Sequence, residues 1–192
     1  WGFIGGAAHN CALAPVRNRH PSLRHPASPP AGHGEVGRYG WRMVVSRPAI
    51  RFVEVDASNW RSLAEIEPRP EQRAFVAPVA WYLCLAHYGG VWHPLAIETD
   101  GKIVGHAMWA FDEEEGSTWL GGLVVDAAHQ RRGIGRATVE AFLDRFSDGG
   151  KTNVALSISP ENEVARSLYR AIGFVETGEM EGRELVARYR TG

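Results

Sequence analysis

Gln130-Arg131-Arg132-Gly133-Ile134-Gly135-Arg136-Ala137 joins an apolar strand, residues 120–125, to an amphipathic helix, residues 134–146. A Q-x-x-G-x-G turn in that position lines up backbone N–H groups that have no partner in the helix. Its two glycines let a phosphate come close to the backbone, and the helix N-terminus adds the positive end of its dipole. Arg131, Arg132 and Arg136 surround the same point with fixed positive charge. The run reads as a pyrophosphate cradle.

Two familiar phosphate loops do not fit. The dinucleotide fingerprint G-x-G-x-x-G needs a third small residue where Thr138 stands. Residues 127–132 also make too long a connection between Asp126 and the first glycine for a tight strand-to-helix turn. A P-loop needs Lys-Ser/Thr after its last glycine, and none is present. The stretch Leu123-Val124-Val125-Asp126-Ala127-Ala128-His129-Gln130-Arg131-Arg132-Gly133-Ile134-Gly135 instead resembles the acetyl-CoA loop of the GNAT superfamily of N-acetyltransferases.

A second run is similar to the last helix of that fold: Asn162-Glu163-Val164-Ala165-Arg166-Ser167-Leu168-Tyr169-Arg170-Ala171-Ile172-Gly173-Phe174. Ser159-Pro160-Glu161 supplies a capping hydroxyl, a first-turn proline and an early carboxylate, so the helix is expected to start there. Val164, Ala165, Leu168, Ala171 and Ile172 recur at helical spacing and predict its buried stripe, and Gly173 ends it. Tyr169 stands at the edge of that stripe. In the family the matching tyrosine is the general acid that protonates the departing CoA thiolate. A phenol of pKa about 10 stays protonated and can donate to a thiolate whose thiol has a pKa of about 8.5.

The resemblance implies an α/β protein with the GNAT acyl-CoA N-acyltransferase fold, a mixed, largely antiparallel splayed sheet flanked by helices. It assigns acetyl-CoA, as co-substrate, to Leu123, Val124, Val125, Gln130, Arg131, Arg132, Gly133, Ile134, Gly135, Arg136, Ala137, Asn162 and Arg166. Residues 50–55 alternate as a first strand, Asp56 and Ser58 can cap a short helix through Trp60 and Leu63, and Pro70-Glu71-Gln72 opens a helix or kinked pair running to about Tyr88 across Pro78. Residues 95–98 and 102–109 form a hairpin about Asp100-Gly101. Residues 118–125, 153–158, 174–176 and 185–189 complete the strands. Gly121-Gly122 inside the fourth strand reads either as a tight pair of small residues or as a bulge. In the family a bulge here splays the sheet so that the pantetheine arm lies between strands, with a strand N–H polarising the thioester carbonyl.

Composition sets bounds on partners. The chain has 192 residues, 44% of them hydrophobic, enough for one domain with a core. Residues 1–42 hold five Arg against one Glu, a net of +4, which leaves −5 of the overall −1 for residues 43–192. An acidic domain argues against nucleic acid as partner and suits a cationic small substrate. Residues 1–42 also contain five Pro and four His without periodicity, and they read as a disordered tail; Met43 reads as the natural start, with 43–192 a single acetyltransferase domain. No stretch has transmembrane length. Cys11 and Cys84 give neither a disulfide framework nor metal spacing, so no metal and a cytoplasmic location are expected, and the Arg-rich, Lys-poor composition hints at a bacterial source. GNAT enzymes are often dimers, so a homodimer is among the expected assemblies.

Chemistry on the acceptor side is less defined. Some GNAT enzymes place a general-base Glu where Trp119 stands here. Glu98 and Trp119 are candidate substrate-binding residues; Asp112, Glu113, Glu114 and Glu115 could bind an ammonium group but fit a solvated turn better, and no residue is assigned as the base. Cys84, between Leu83 and Leu85, reads as core rather than as a nucleophile. Residues 50–190 as a whole resemble the spermine/spermidine (diamine) acetyltransferases of the superfamily, with Val79 and Tyr82 departing from the polar residues found there. Direct transfer of an acetyl group to a polyamine is the expectation. Another small amine, a peptide amine, or a non-catalytic acyl-CoA sensor are the alternatives.

Overall fold

A computed structural model describes residues 47–147 and 152–191. The expectations for residues 1–42 and for Met43 lie outside the described residues. The elements run β1 (Arg51–Glu54), α1 (Trp60–Ala64), a 3-10 turn (Pro70–Gln72), α2 (Val79–Gly89), β2 (His93–Thr99), β3 (Lys102–Asp112) and β4 (Ser117–Val125). A second 3-10 turn (Ala127–His129), α3 (Ile134–Arg145), β5 (Thr152–Ile158), α4 (Glu163–Ile172), β6 (Val175–Glu181) and β7 (Glu184–Thr191) follow. The seven strands form one sheet in the order β1-β2-β3-β4-β5-β7-β6, antiparallel throughout except between β4 and β5. The fold is the splayed, mostly antiparallel α/β sheet expected. No helix among the described residues is long and apolar enough to cross a membrane.

Strand alternation gives the sheet two apolar faces. Ile97, Ala107, Leu120, Val154, Leu156, Ile158 and Ala187 pack with Val139 and Phe142 of α3 and with Ala165, Tyr169 and Ile172 of α4. Ala96, Met108, Ala110 and Val124 pack on the other face with Leu63 of α1 and Val79, Tyr82 and Ala86 of α2.

Pro78 separates what the sequence suggested might be a continuous or kinked helix. It has no N–H to donate and it forces Ala77 to be extended, so the chain makes a 3-10 turn at 70–72 and begins α2 only at Val79. Within α2, Tyr82 and Ala86 face the core while Cys84, two positions from each, is exposed. This corrects the core reading of Cys84.

The feature that opens the sheet is a bulge in β4. His106 pairs with Val124 and Met108 with Gly121, so Gly122 and Leu123 together oppose Ala107. Gly122 has φ +55°, and a Cβ there would lie 3.1 Å from His106 and 3.3 Å from Tyr82. Only glycine meets both demands without strain. β4 pairs with β5 solely at Thr118↔Val154 and Trp119↔Ala155, beyond which the strands part toward the bulged end of β4.

Candidate active site

The cradle is built by side chains that spend their polar atoms on the protein itself. Asp126 starts the 3-10 turn by accepting the N–H of Ala128 at 2.9 Å. Gln130 donates to the Val125 carbonyl at 2.9 Å and to Gln72 Oε1 at 2.7 Å, tying the loop to the turn before α2. Its amide therefore shapes the cradle, where the sequence suggested a cofactor contact. Arg132 donates to the Ala128 carbonyl at 3.1 Å, and Arg136 reaches Glu140 at 3.3 Å and the Ala171 carbonyl at 3.4 Å. Arg131 is held at φ +65° and Gly133 at φ +78°, a pair of left-handed residues that turns the chain into α3. Ile134 and Ala137 are buried, and the Ala137 N–H donates to the Gly133 carbonyl at 3.0 Å, so of the two only Ile134 offers a ligand its backbone N–H. The N–H groups of 133–136 have no acceptor within α3. This geometry fits the two phosphates of a coenzyme A pyrophosphate.

Next to the cradle, Leu123, Val124 and Val125 face β3 on one side and the gap toward β5 on the other. β4 makes no pairing with β5 along that edge, as a bound extended arm with amide groups would require, although the Val125 carbonyl is already taken by Gln130.

Across the gap stands α4. Its cap is Asn162, whose Oδ1 accepts the Ala165 N–H at 3.1 Å, and the helix begins at Glu163. Ser159 does not cap it, since its hydroxyl donates to Glu161 at 2.6 Å. Val164 is 71% exposed, which removes it from the expected stripe; Ala165, Leu168 and Ile172 are half-buried, and Ala171 is exposed. Arg166 grips Glu176 of β6 through Nε and Nη2 at 2.9 and 3.0 Å, and donates to the Pro160 carbonyl and Glu163. Asn162 and Arg166 thus anchor α4 through their side chains.

Tyr169 packs edge-on against Phe174, ring centres 5.6 Å apart. Burial pushes its hydroxyl well above the usual tyrosine range, and Glu184 and Tyr82 add to the shift. Glu184 and Tyr82 belong to the α1/α2 side of the sheet, while Tyr169 packs with α4 on the opposite face, against Phe174 and the β5 side chains. Tyr82 accepts the Ala77 N–H at 3.0 Å and stacks on His106, centres 5.5 Å apart and 7° from parallel. His106, fully buried, bonds the Gly122 carbonyl at 2.7 Å, which makes Nδ1 the protonated nitrogen; desolvation lowers its pKa to about 4 despite that bond.

The proposed acceptor-side residues separate. Trp119 lies on the α1/α2 face with the Arg188 guanidinium 5.8 Å from its ring centre, and Arg188 is held by Glu115 at 2.7 Å and Glu179 at 3.3 Å. Glu98 is gripped by both arms of Arg51, at 2.8 and 2.6 Å, on β2 beside the β1 edge. Two strands intervene between it and the gap, and the site does not include it. Asp112 caps its own turn by accepting from Glu114 and Glu115, as a solvated hairpin turn should. Tyr82, singled out in the sequence as a departure from the polyamine relatives, stacks on His106; not foreseen were Gln72, His106 and the pair Ser157–Glu184, in which Ser157 Oγ donates to Glu184 Oε2 at 2.5 Å.

Residues 53–174 match the acetyltransferase (GNAT) family. The chain belongs to that family. N-acetyl transfer from acetyl-CoA is the chemistry of its members, and the protein is an acetyl-CoA-dependent N-acetyltransferase by that membership. It is 28% identical over 145 residues to the spermine/spermidine N(1)-acetyltransferase of Bacillus subtilis, covering 69% of this chain and 92% of that GNAT protein. It is also 28% identical over 106 residues to the ribosomal protein bS18-alanine N-acetyltransferase of Escherichia coli, covering 55% and 70% of the two chains. Among solved GNAT folds, spermidine N-acetyltransferase from Vibrio cholerae in complex with CoA and spermine superposes with TM-score 0.56 at 17% identity, over 74% of this chain and 94% of that one.

Proposed function

We propose that the protein moves the acetyl group of acetyl-CoA directly to a primary amine, with a polyamine such as spermidine or spermine as acceptor, in the cytoplasm. The observation that carries the reading is Tyr169, which packs from α4 against β5, the strand that parts from β4, with a hydroxyl that burial keeps protonated. A sensor of acyl-CoA has no use for such a donor. The α3 cradle suits the pyrophosphate through backbone N–H groups of 133–136, and Leu123 to Val125 suit the pantetheine amides. Acetyl-CoA supplies the activated acetyl thioester. One N–H at the β4 bulge is suited to stabilise developing negative charge on the carbonyl oxygen, and Tyr169 Oη gives its proton to the leaving sulfur.

The polyamine is favoured over a peptide amine by the acidic balance of residues 43–192 and by the broader match to the Bacillus protein than to the alanine acetyltransferase. Incubation with acetyl-CoA and spermidine, spermine, putrescine, a monoamine and a short alanine-terminated peptide, read by product mass, tests it. A monoacetylated polyamine as main product is expected; preferential acetylation of the peptide would transfer the assignment to peptide amines.

A further inference from the structure

Acetylation of an ammonium substrate requires a proton acceptor, and Trp119 occupies the strand position where some relatives carry that carboxylate. We infer that Glu184, oriented by Ser157 of the strand that borders the gap, is the group that takes the proton from the acceptor ammonium. This inference rests on the acetyl-transfer reading above.

Glu184 opens β7, and Ser157 is on β5, the strand that borders the gap. Ser157 pairs with Val186, two residues beyond Glu184, so both side chains lie on the α1/α2 face and meet there at 2.5 Å. The charge of Glu184 is among the causes that raise the Tyr169 hydroxyl. Proton donor and proton acceptor thus flank the same gap, as they must if one serves the sulfur and the other the nitrogen on a single carbonyl carbon. The other carboxylates near this face are committed or distant: Glu115 and Glu179 hold Arg188, Glu176 holds Arg166, and Glu98 holds Arg51.

The neighbours of Glu184 set its basicity. Ser157 of β5 donates to it, Glu181 of β6 repels it, Tyr169 of α4 faces it as a neutral phenol, and Arg183, next in the chain, acts on Glu161. Desolvation dominates and raises the Glu184 carboxyl above the usual range, Ser157 opposes this, and Glu181 adds to it. A carboxylate raised in this way is a better base than a solvated one.

The protons balance. The ammonium gives one proton to Glu184, which releases it to solvent. The C–N bond forms and the C–S bond breaks as sulfur takes a proton from Tyr169, and Tyr169 recovers one from nitrogen as the amide forms.

The test is steady-state kinetics of Glu184→Gln and Ser157→Ala against pH, using the best amine of the panel, with acetyl-CoA affinity by calorimetry. Glu184→Gln should lower kcat about 10²-fold or more near neutral pH. It should erase the acidic limb of the kcat profile and leave acetyl-CoA affinity unchanged. Its rate should instead climb toward the pKa of the free amine, about 10. Ser157→Ala should move the acidic limb to higher pH, which a merely structural serine would not do. An acidic limb and rate retained in Glu184→Gln would overturn the inference alone, as would loss of activity matched by loss of acetyl-CoA binding. A wild-type protein that acetylates no amine would overturn the functional reading and this inference with it.

Discussion

His106 carries the bulge on one hydrogen bond and a stacked ring, and it is neutral because a second proton on Nε2 would have no acceptor: that atom is buried without a partner. Its pKa near 4 in the folded protein lies below the unfolded value of 6.5. The unfolded chain therefore binds the extra proton first, so the associated stability is complete above about pH 6.5 and is lost as pH falls toward 4. The difference corresponds to about 3 kcal/mol. Denaturant unfolding at pH 7 and pH 4 should show this loss in the wild type, and the His106→Gln protein should lack that portion of it. Tyr169 was legible from sequence because its whole helix motif is local. His106 and Glu184 were not, since their environments are made by contacts between strands, the His106 hydrogen bond to the Gly122 carbonyl and the pairing of Ser157 with Val186, whose partners lie far apart along the chain.

Among the elements, β4 and β5 form the two walls of the gap, and α4 covers one face of the sheet beside it. Gly122→Ala would put a side chain in a left-handed conformation and against the His106 ring, at a cost of about 2 kcal/mol. A thermal unfolding midpoint lowered together with weaker acetyl-CoA binding is expected, because the bulge also sets the free edge of Leu123 to Val125. On α4, Asn162→Ala removes the cap and should cost about 1 kcal/mol, whereas Ser159→Ala, off the cap, should leave stability within a few tenths. Chemical denaturation of the pair checks both. Strand and helix identities were readable from periodicity and turn residues, including the Asp100-Gly101 hairpin between β2 and β3. The start of α4 was misread because Ser159 and Asn162 are both capping residues, and the choice is made by where the Ser159 hydroxyl finds Glu161.

At the scale of the molecule, one sheet with a single parallel pairing creates a gap, and its two faces carry different chemistry: the cradle and Tyr169 on the α3/α4 face, Tyr82 of α2 and Glu184 of β7 on the other. Family and fold followed from two sequence motifs, while the acceptor side depended on which acidic residues the topology leaves near the gap; Glu98, attractive in sequence, sits two strands away from it. The net −5 of residues 43–192 should attract polycations over distance. The ratio of kcat/KM for spermidine to that for a monoamine should fall as salt is raised from about 0.01 to 0.5 M, over which range the Debye length shrinks from about 30 Å to a few ångströms. A salt-independent ratio would place selectivity in short-range contacts alone.

The most direct test of acetyl transfer with Tyr169 as proton donor is CoA thiol release by wild type and Tyr169→Phe against the amine panel, with acetyl-CoA affinity measured in parallel. Saturable release by the wild type is predicted, with kcat about 10²-fold lower in Tyr169→Phe and acetyl-CoA affinity unchanged. Equal turnover by both proteins, or tight acetyl-CoA binding with no release for any amine, would contradict the account.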